Sequence, residues 1–126
     1  MKPFFLAASM LVLALVFCLW NAGSVTRRTL ALEALVSDAE VCAGGGDWDG
    51  ANAAVDRAYG CWLDQQTYFH IVMQHEALDE TESLFRRLRA FENAPDDAEF
   101  CADAAELLSQ LALLRELEEI SIKNIL

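Results

Sequence analysis

The sequence predicts an all-α protein in which an N-terminal transmembrane helix continues into an antiparallel three- to four-helix bundle. Three observations predict it. An uncharged apolar run opens the chain, apolar residues recur every three or four positions through the remainder, and no strand-like alternation or hairpin turn interrupts them. The 126 residues divide into an anchor over 1–23 and a bundle domain over 24–126, with helices expected at about 24–43, 47–65, 68–92 and 96–122.

Phe4 to Ala22 reads FFLAASMLVLALVFCLWNA, without a charge. About nineteen residues at about 1.5 Å each cross a hydrocarbon layer of about 30 Å, and Trp20 falls where an interfacial aromatic is expected. A signal peptide is the competing reading, since Lys2 supplies a basic start and Ala22-Gly23-Ser24 are small. The apolar run is longer than a signal-peptide core, however, and Trp20 crowds the cleavage region, so an uncleaved single-pass anchor in the cytoplasmic membrane is preferred and a secreted protein is the alternative. Cys18 is no lipoprotein cysteine, because Phe17 stands where a small residue is needed. Lys2 and the terminal amine before the span balance Arg27 and Arg28 after it. A short N-terminus is easily retained in the cytoplasm, which puts the domain outside.

In the first helix of the domain Leu32, Leu35, Val36 and Ala39 share a face, and only Gly23 separates them from the span, so one long helix should leave the bilayer and enter the bundle. Gly44-Gly45-Gly46 ends it and Asp47 caps the next. Trp48, Ala51, Val55, Ala58, Tyr59 and Trp62 form the apolar face of the second helix. The third is expected to begin near Tyr68 with Thr67 as its cap and to end before Asn93-Ala94-Pro95. Asp96, followed by Glu99, starts the fourth, whose stripe is Phe100, Ala104, Leu107, Leu108, Leu111, Leu114, Leu117 and Ile120.

A net charge of −11 excludes the basic footprint of a nucleic-acid binder and opposes lying flat on anionic lipid. Cys42, Cys61 and Cys101 show no CxxC pair or ligand spacing, and they read as small hydrophobes, with one disulfide and a spare thiol as the oxidised alternative. No glycine-flanked serine or phosphate-binding loop is present, and Glu92, Asp96, Asp97, Glu99 and Asp103 do not follow the calcium-loop pattern but read as a capped, solvated turn.

One stretch, MQHEALDETESLF, comes close to a zinc-hydrolase helix, with His75-Glu76-Ala77-Leu78 followed by Asp79 where a second histidine is needed. On one continuous helix His75, Asp79, Glu82, Arg86 and Arg89 fall within roughly 80 degrees, beside an apolar face of Leu78, Thr81, Leu84, Phe85, Leu88 and Phe91. His75–Asp79 and Glu82–Arg86 then read as pairs spaced four apart, a structural ladder. His70 would point about 140 degrees away from His75 on that helix. A metal-dependent hydrolase using His75, Glu76 and Asp79 is the rival reading.

GDWDGANAAVDRA is similar to the first helix of a tetratricopeptide repeat, but no periodic second copy follows. A broader resemblance rests on Trp48 and Trp62, on His75-Glu76-Ala77-Leu78-Asp79 with Glu82 and Leu88, and on the closing RELEEISIKNIL with Asn124, Ile125 and Leu126. By these the chain resembles the bacterial family known as domain of unknown function 4363, small proteins with an N-terminal membrane helix. Thr81 departs from the aliphatic residue expected there. The resemblance implies an anchored helical bundle, supplies no reaction, and implies a polytopic membrane protein as partner.

The expectation is therefore a non-enzymatic interaction or accessory domain held to the membrane by its first helix, with no catalytic residue, no cofactor, no metal and no nucleic-acid partner. Trp48, Trp62, His75, Asp79, Glu82 and Arg86 are the candidate structural or partner-contact residues.

Overall fold

The computed structural model describes residues 1–125; Leu126, the last residue of the closing motif, lies outside the described residues. Four helices follow one another, α1 (Lys2–Gly44), α2 (Trp48–Val72), α3 (His75–Ala90) and α4 (Asp97–Ile125). No strand occurs among the described residues. Each helix runs antiparallel to its sequence neighbour in a four-membered ring: α1 packs against α2 and α4, α3 packs against α2 and α4, and among the described residues the backbones of the diagonal pairs do not approach closely.

The 43 residues of α1 form one uninterrupted helix, as the lack of a breaker predicted. At about 1.5 Å per residue it is about 65 Å long, twice a hydrocarbon layer. Its two halves have different surroundings. Phe4, Phe5, Leu6, Leu11, Leu13, Phe17 and Trp20 are exposed, whereas Val25, Leu32, Val36, Ala39 and Ala43 are fully buried. The apolar half is long and apolar enough to cross a membrane by length and composition.

A turn at Gly45-Gly46 reverses the chain, and Gly46 takes a positive φ of 80°, a conformation that costs a side-chain-bearing residue energy. Asp47 then caps α2, its carboxylate accepting the Gly50 N–H at 3.0 Å. A Cβ at position 50 would meet that carboxylate, so a larger residue there would make the Asp47 side chain shift. Ala51, Ala54 and Ala58 let α2 sit close to α1, and Trp62 and Phe69 fill the space further along.

The expected boundary near Gln65–Tyr68 is not where the chain turns. The second helix continues through Thr67 and Tyr68 to Val72, and the break falls at the extended residues Met73 and Gln74. The reason lies in packing: α1 still presents buried Val25, Ser24 and Asn21 beyond that level, where Tyr68 bonds Asn21 and the buried Phe69, stacked on Trp62 at 5.4 Å, extends the core. The acidic residues Glu76, Asp79 and Glu80 accordingly mark the first turns of α3, where they complement the helix dipole.

Asp96 caps α4 by accepting the Glu99 N–H at 3.0 Å. Phe100, Ala104, Leu107, Leu111 and Leu114 of the expected stripe are buried, but Leu117 and Ile120 are exposed. The layer formed by Asn21, Tyr68 and Glu118 ends the bundle, so the last turns of α4 reach past its packed interior. Asp103 is likewise not part of a solvated turn: it is 7% exposed and paired with Arg87 of α3. Cys18, Cys42, Cys61 and Cys101 are all free and half-buried.

Candidate functional site

The candidate residues concentrate on α3 and the α2 surface facing it, and Glu82 is the centre of the arrangement. One carboxylate oxygen accepts the Tyr59 hydroxyl at 2.7 Å and the other accepts the Trp62 Nε1–H at 2.7 Å. Arg86, one turn along α3, donates its Nε–H to the first oxygen at 3.1 Å. With only 16% of its side chain exposed, Glu82 is partly desolvated, which by itself raises a carboxyl pKa. The donors from Tyr59 and Trp62 and the Arg86 charge outweigh that effect and hold the carboxyl below its ordinary value.

Aromatic packing supports this clamp. Trp62 is fully buried between Phe69 at 5.4 Å and Phe85 at 5.7 Å, both stacked. Arg89 lies over the Tyr59 ring at 4.7 Å while its Nε–H reaches Asp56 at 3.3 Å. A carboxylate saturated by three donors and held ionised is a weak proton acceptor, so its chemistry is that of a fixed anchor between helices. Trp48 is not part of the clamp. It sits about 21 Å along α2 from Trp62, edge-on to Phe100 at 5.3 Å.

The ladder expected on α3 is therefore only partly formed. Glu82–Arg86 pairs as its spacing predicts, but no His75–Asp79 bond forms among the described residues, and Asp79 is exposed. Because the chain breaks at Met73-Gln74, His75 opens α3 while His70 lies in the last turn of α2, and their rings meet across the corner. Their Nδ1 atoms are 3.3 Å apart and the ring centroids 5.2 Å. The 140-degree divergence expected on a continuous helix does not hold. Among the described residues no group of three His, Cys, Asp or Glu side chains converges to hold a metal.

Thr81, the departure from the family pattern, is fully buried, with its hydroxyl donated to the Ala77 carbonyl at 2.8 Å. That bond satisfies the hydroxyl within its own helix, so the methyl packs as an aliphatic group would.

A second polar layer closes the end of the bundle from which the apolar half of α1 projects. Asn21 donates its side-chain N–H to Glu118 of α4 at 3.0 Å and accepts the hydroxyl of Tyr68 of α2. Arg28 lies over the Tyr68 ring at 4.4 Å and donates to Ser24 at 3.2 Å. Three helices are thus tied together at the residue where α1 changes from exposed apolar to buried. Beside this layer, a cavity of about 140 Å³ opens between the α2–α3 corner and α4, lined by Val72, Met73, Ala77, Leu114, Leu117 and Glu118.

Sequence reasoning missed Tyr59 as a hydrogen-bond donor, the Asn21–Tyr68–Glu118 layer and the histidine pair. Asn21 carried a signal, being a polar residue that ends an otherwise apolar run and so needing a partner.

In comparison with known proteins, the family model described as Domain of unknown function (DUF4363) matches residues 19–125. No curated protein and no solved structure matches the chain.

Proposed function

The chain belongs to the DUF4363 family, and on that premise we propose that it is a membrane-anchored, non-enzymatic accessory domain. Its bundle stands at the outer face of the cytoplasmic membrane and engages a polytopic membrane protein. The observation that carries this reading is the continuity of α1: the helix whose first half exposes Phe4 to Trp20 is the same helix whose second half forms the bundle core. An apolar surface of this extent on a soluble helix would aggregate, whereas in lipid it costs nothing. A rigid helix entering the bundle without a linker also fixes the domain's distance from the bilayer, as suits a domain docking on a neighbouring membrane protein.

The site geometry supports a structural role for α3. Glu82, the most buried of its polar candidates, is committed to Tyr59, Trp62 and Arg86. What is left for a partner is the exposed surface, which carries most of the net charge of −11.

Membrane extraction and surface labelling of the full chain test the reading. The protein should stay in the membrane fraction through alkaline carbonate washing and retain residues 1–22. A Glu92→Cys substitution, at an exposed turn, should add labelling by a membrane-impermeant thiol reagent in intact cells. Release into the wash, or a mature N-terminus after Ala22, overturns the anchor. Labelling gained only after lysis overturns the outward placement.

A further inference from the structure

We propose that His70 and His75 form a two-histidine binding site for a zinc ion at the α2–α3 corner. The proposal rests on two distances. Two nitrogen ligands about 2.0–2.1 Å from one tetrahedral metal lie about 3.3–3.4 Å apart. With each nitrogen about 1.1 Å from its ring centre, and each lone pair aimed at the metal, the ring centres are then about 5.2 Å apart. The observed separations are 3.3 Å between the Nδ1 atoms and 5.2 Å between centroids.

A direct Nδ1–H···Nδ1 hydrogen bond fits less well. It prefers a separation of about 2.9–3.0 Å with the two nitrogens in line. Held in line at 3.3 Å, the same rings would have centroids about 5.5 Å apart, farther than the 5.2 Å observed, so at least one ring axis departs from the N–N line.

The local fold sets this arrangement. His70 is held by the last turn of α2, which the buried Phe69 fixes to the core, and His75 is the first residue of α3, which the buried Leu78 fixes. Both imidazoles are exposed, so an ion reaches them without opening the bundle. No third His, Cys, Asp or Glu side chain joins them among the described residues, and water fills the remaining coordination positions. The ion clips the end of one helix to the start of the next, so it binds the folded chain and not the unfolded one. Such binding adds stability that grows with the logarithm of one plus the ratio of free zinc to its dissociation constant. This is a structural clip and is independent of the accessory-domain reading above.

Titration of the purified full chain in detergent micelles with zinc, against a chromophoric chelator, provides the test. One ion per chain is expected, with affinity falling at least tenfold in His70→Ala and equally in His75→Ala, while circular dichroism shows both variants as helical as the parent. Zinc should raise the thermal midpoint of the parent and of neither variant. Glu76→Ala and Asp79→Ala should bind as the parent does. Stoichiometric binding unchanged in both histidine variants, or no saturable binding by the parent, overturns the proposal. A loss in Glu76→Ala or Asp79→Ala as large as that in the histidine variants overturns it too, in favour of a site on α3 alone.

Discussion

The two seams that α1 makes and the two that α3 makes are built from different materials. Along α1 the middle of the contact is apolar, with Ala39, Ala43, Ala51, Ala54 and Ala58 allowing close approach and Leu32, Val36, Leu107 and Leu111 filling the rest, and its polar ties are Asn21 to Tyr68 and Glu118 at one end and Glu33 to Arg115. Along α3 an apolar face of Leu78, Leu84, Phe85 and Leu88 is bordered by polar ties: Glu82 to Tyr59 and Trp62, Arg89 to Asp56, Arg87 to Asp103 and Gln110 to the Ala77 carbonyl. Length explains the difference. The packed half of α1, from Asn21 to Gly44, is longer than the 16-residue α3 and buries more apolar area, whereas α3 is fixed in register by directional bonds as well.

Trp62 belongs to both kinds of contact, so its removal should have the largest effect. Trp62→Ala deletes the ring stacked on Phe69 and Phe85 and leaves Glu82 without its Nε1–H donor. A loss of about 3–5 kcal/mol is expected for a fully buried ring of this size, read from urea denaturation of the full chain in micelles. Trp62→Phe, which keeps an aromatic ring and removes the N–H, should lose less. Equal losses would mean that the smaller ring restores no packing and that the loss lies in the missing N–H donor to Glu82.

Glu82→Gln isolates the polar part of the α3 seam. The amide cannot accept from Tyr59, Trp62 and Arg86 as a carboxylate does, because one of its two polar ends is itself a donor. A loss of about 1.5–3 kcal/mol is expected at neutral pH, the range for hydrogen bonds to a charged group. The folded carboxyl titrates below its ordinary value of 4.5, so its contribution is fully present above that value and disappears as pH falls through the lower folded value. Parent and variant should therefore converge in stability as the pH falls below 4.5 and through the lower folded value. A difference that stays constant from pH 7 to pH 3 would show that Glu82 acts through shape and not through charge.

The same contrast explains how much was legible beforehand. The α1 seams could be read because small and aliphatic residues recur at helical spacing, and so could the caps at Asp47 and Asp96, where the capping residue and its partner lie three apart. The α3 seam could not, since Glu82 finds Tyr59 and Trp62 at separations of 23 and 20 residues, which no local pattern encodes. The α2–α3 corner was misplaced because neither proline nor glycine marks Met73-Gln74. The three-dimensional demand that Phe69 and Val72 continue the core decides it. That single shift of boundary also hid the meeting of His70 and His75, whose angular separation was counted along a helix that does not continue between them.

The smallest effect is expected at the ion pairs, where the seams also differ. Glu33 of α1 and Arg115 of α4 meet at 2.8 Å with 17% and 23% of their side chains exposed. In the α3 seam Arg87 is 52% exposed while its partner Asp103 is 11% exposed, and a second contact from Arg87 to Glu106 spans 3.5 Å. Double-mutant cycles to alanine should give the Arg87–Asp103 pair a coupling of about 0.2–1 kcal/mol, because solvent around the guanidinium screens the attraction. Raising the salt to about 1 M shortens the screening length to about 3 Å and should reduce that coupling further, whereas the less exposed Glu33–Arg115 pair should keep more of its own. If both couplings fall alike, the polar ties of the two seams share one dielectric environment. The distinction between them would then rest on Glu82 and its buried donors alone.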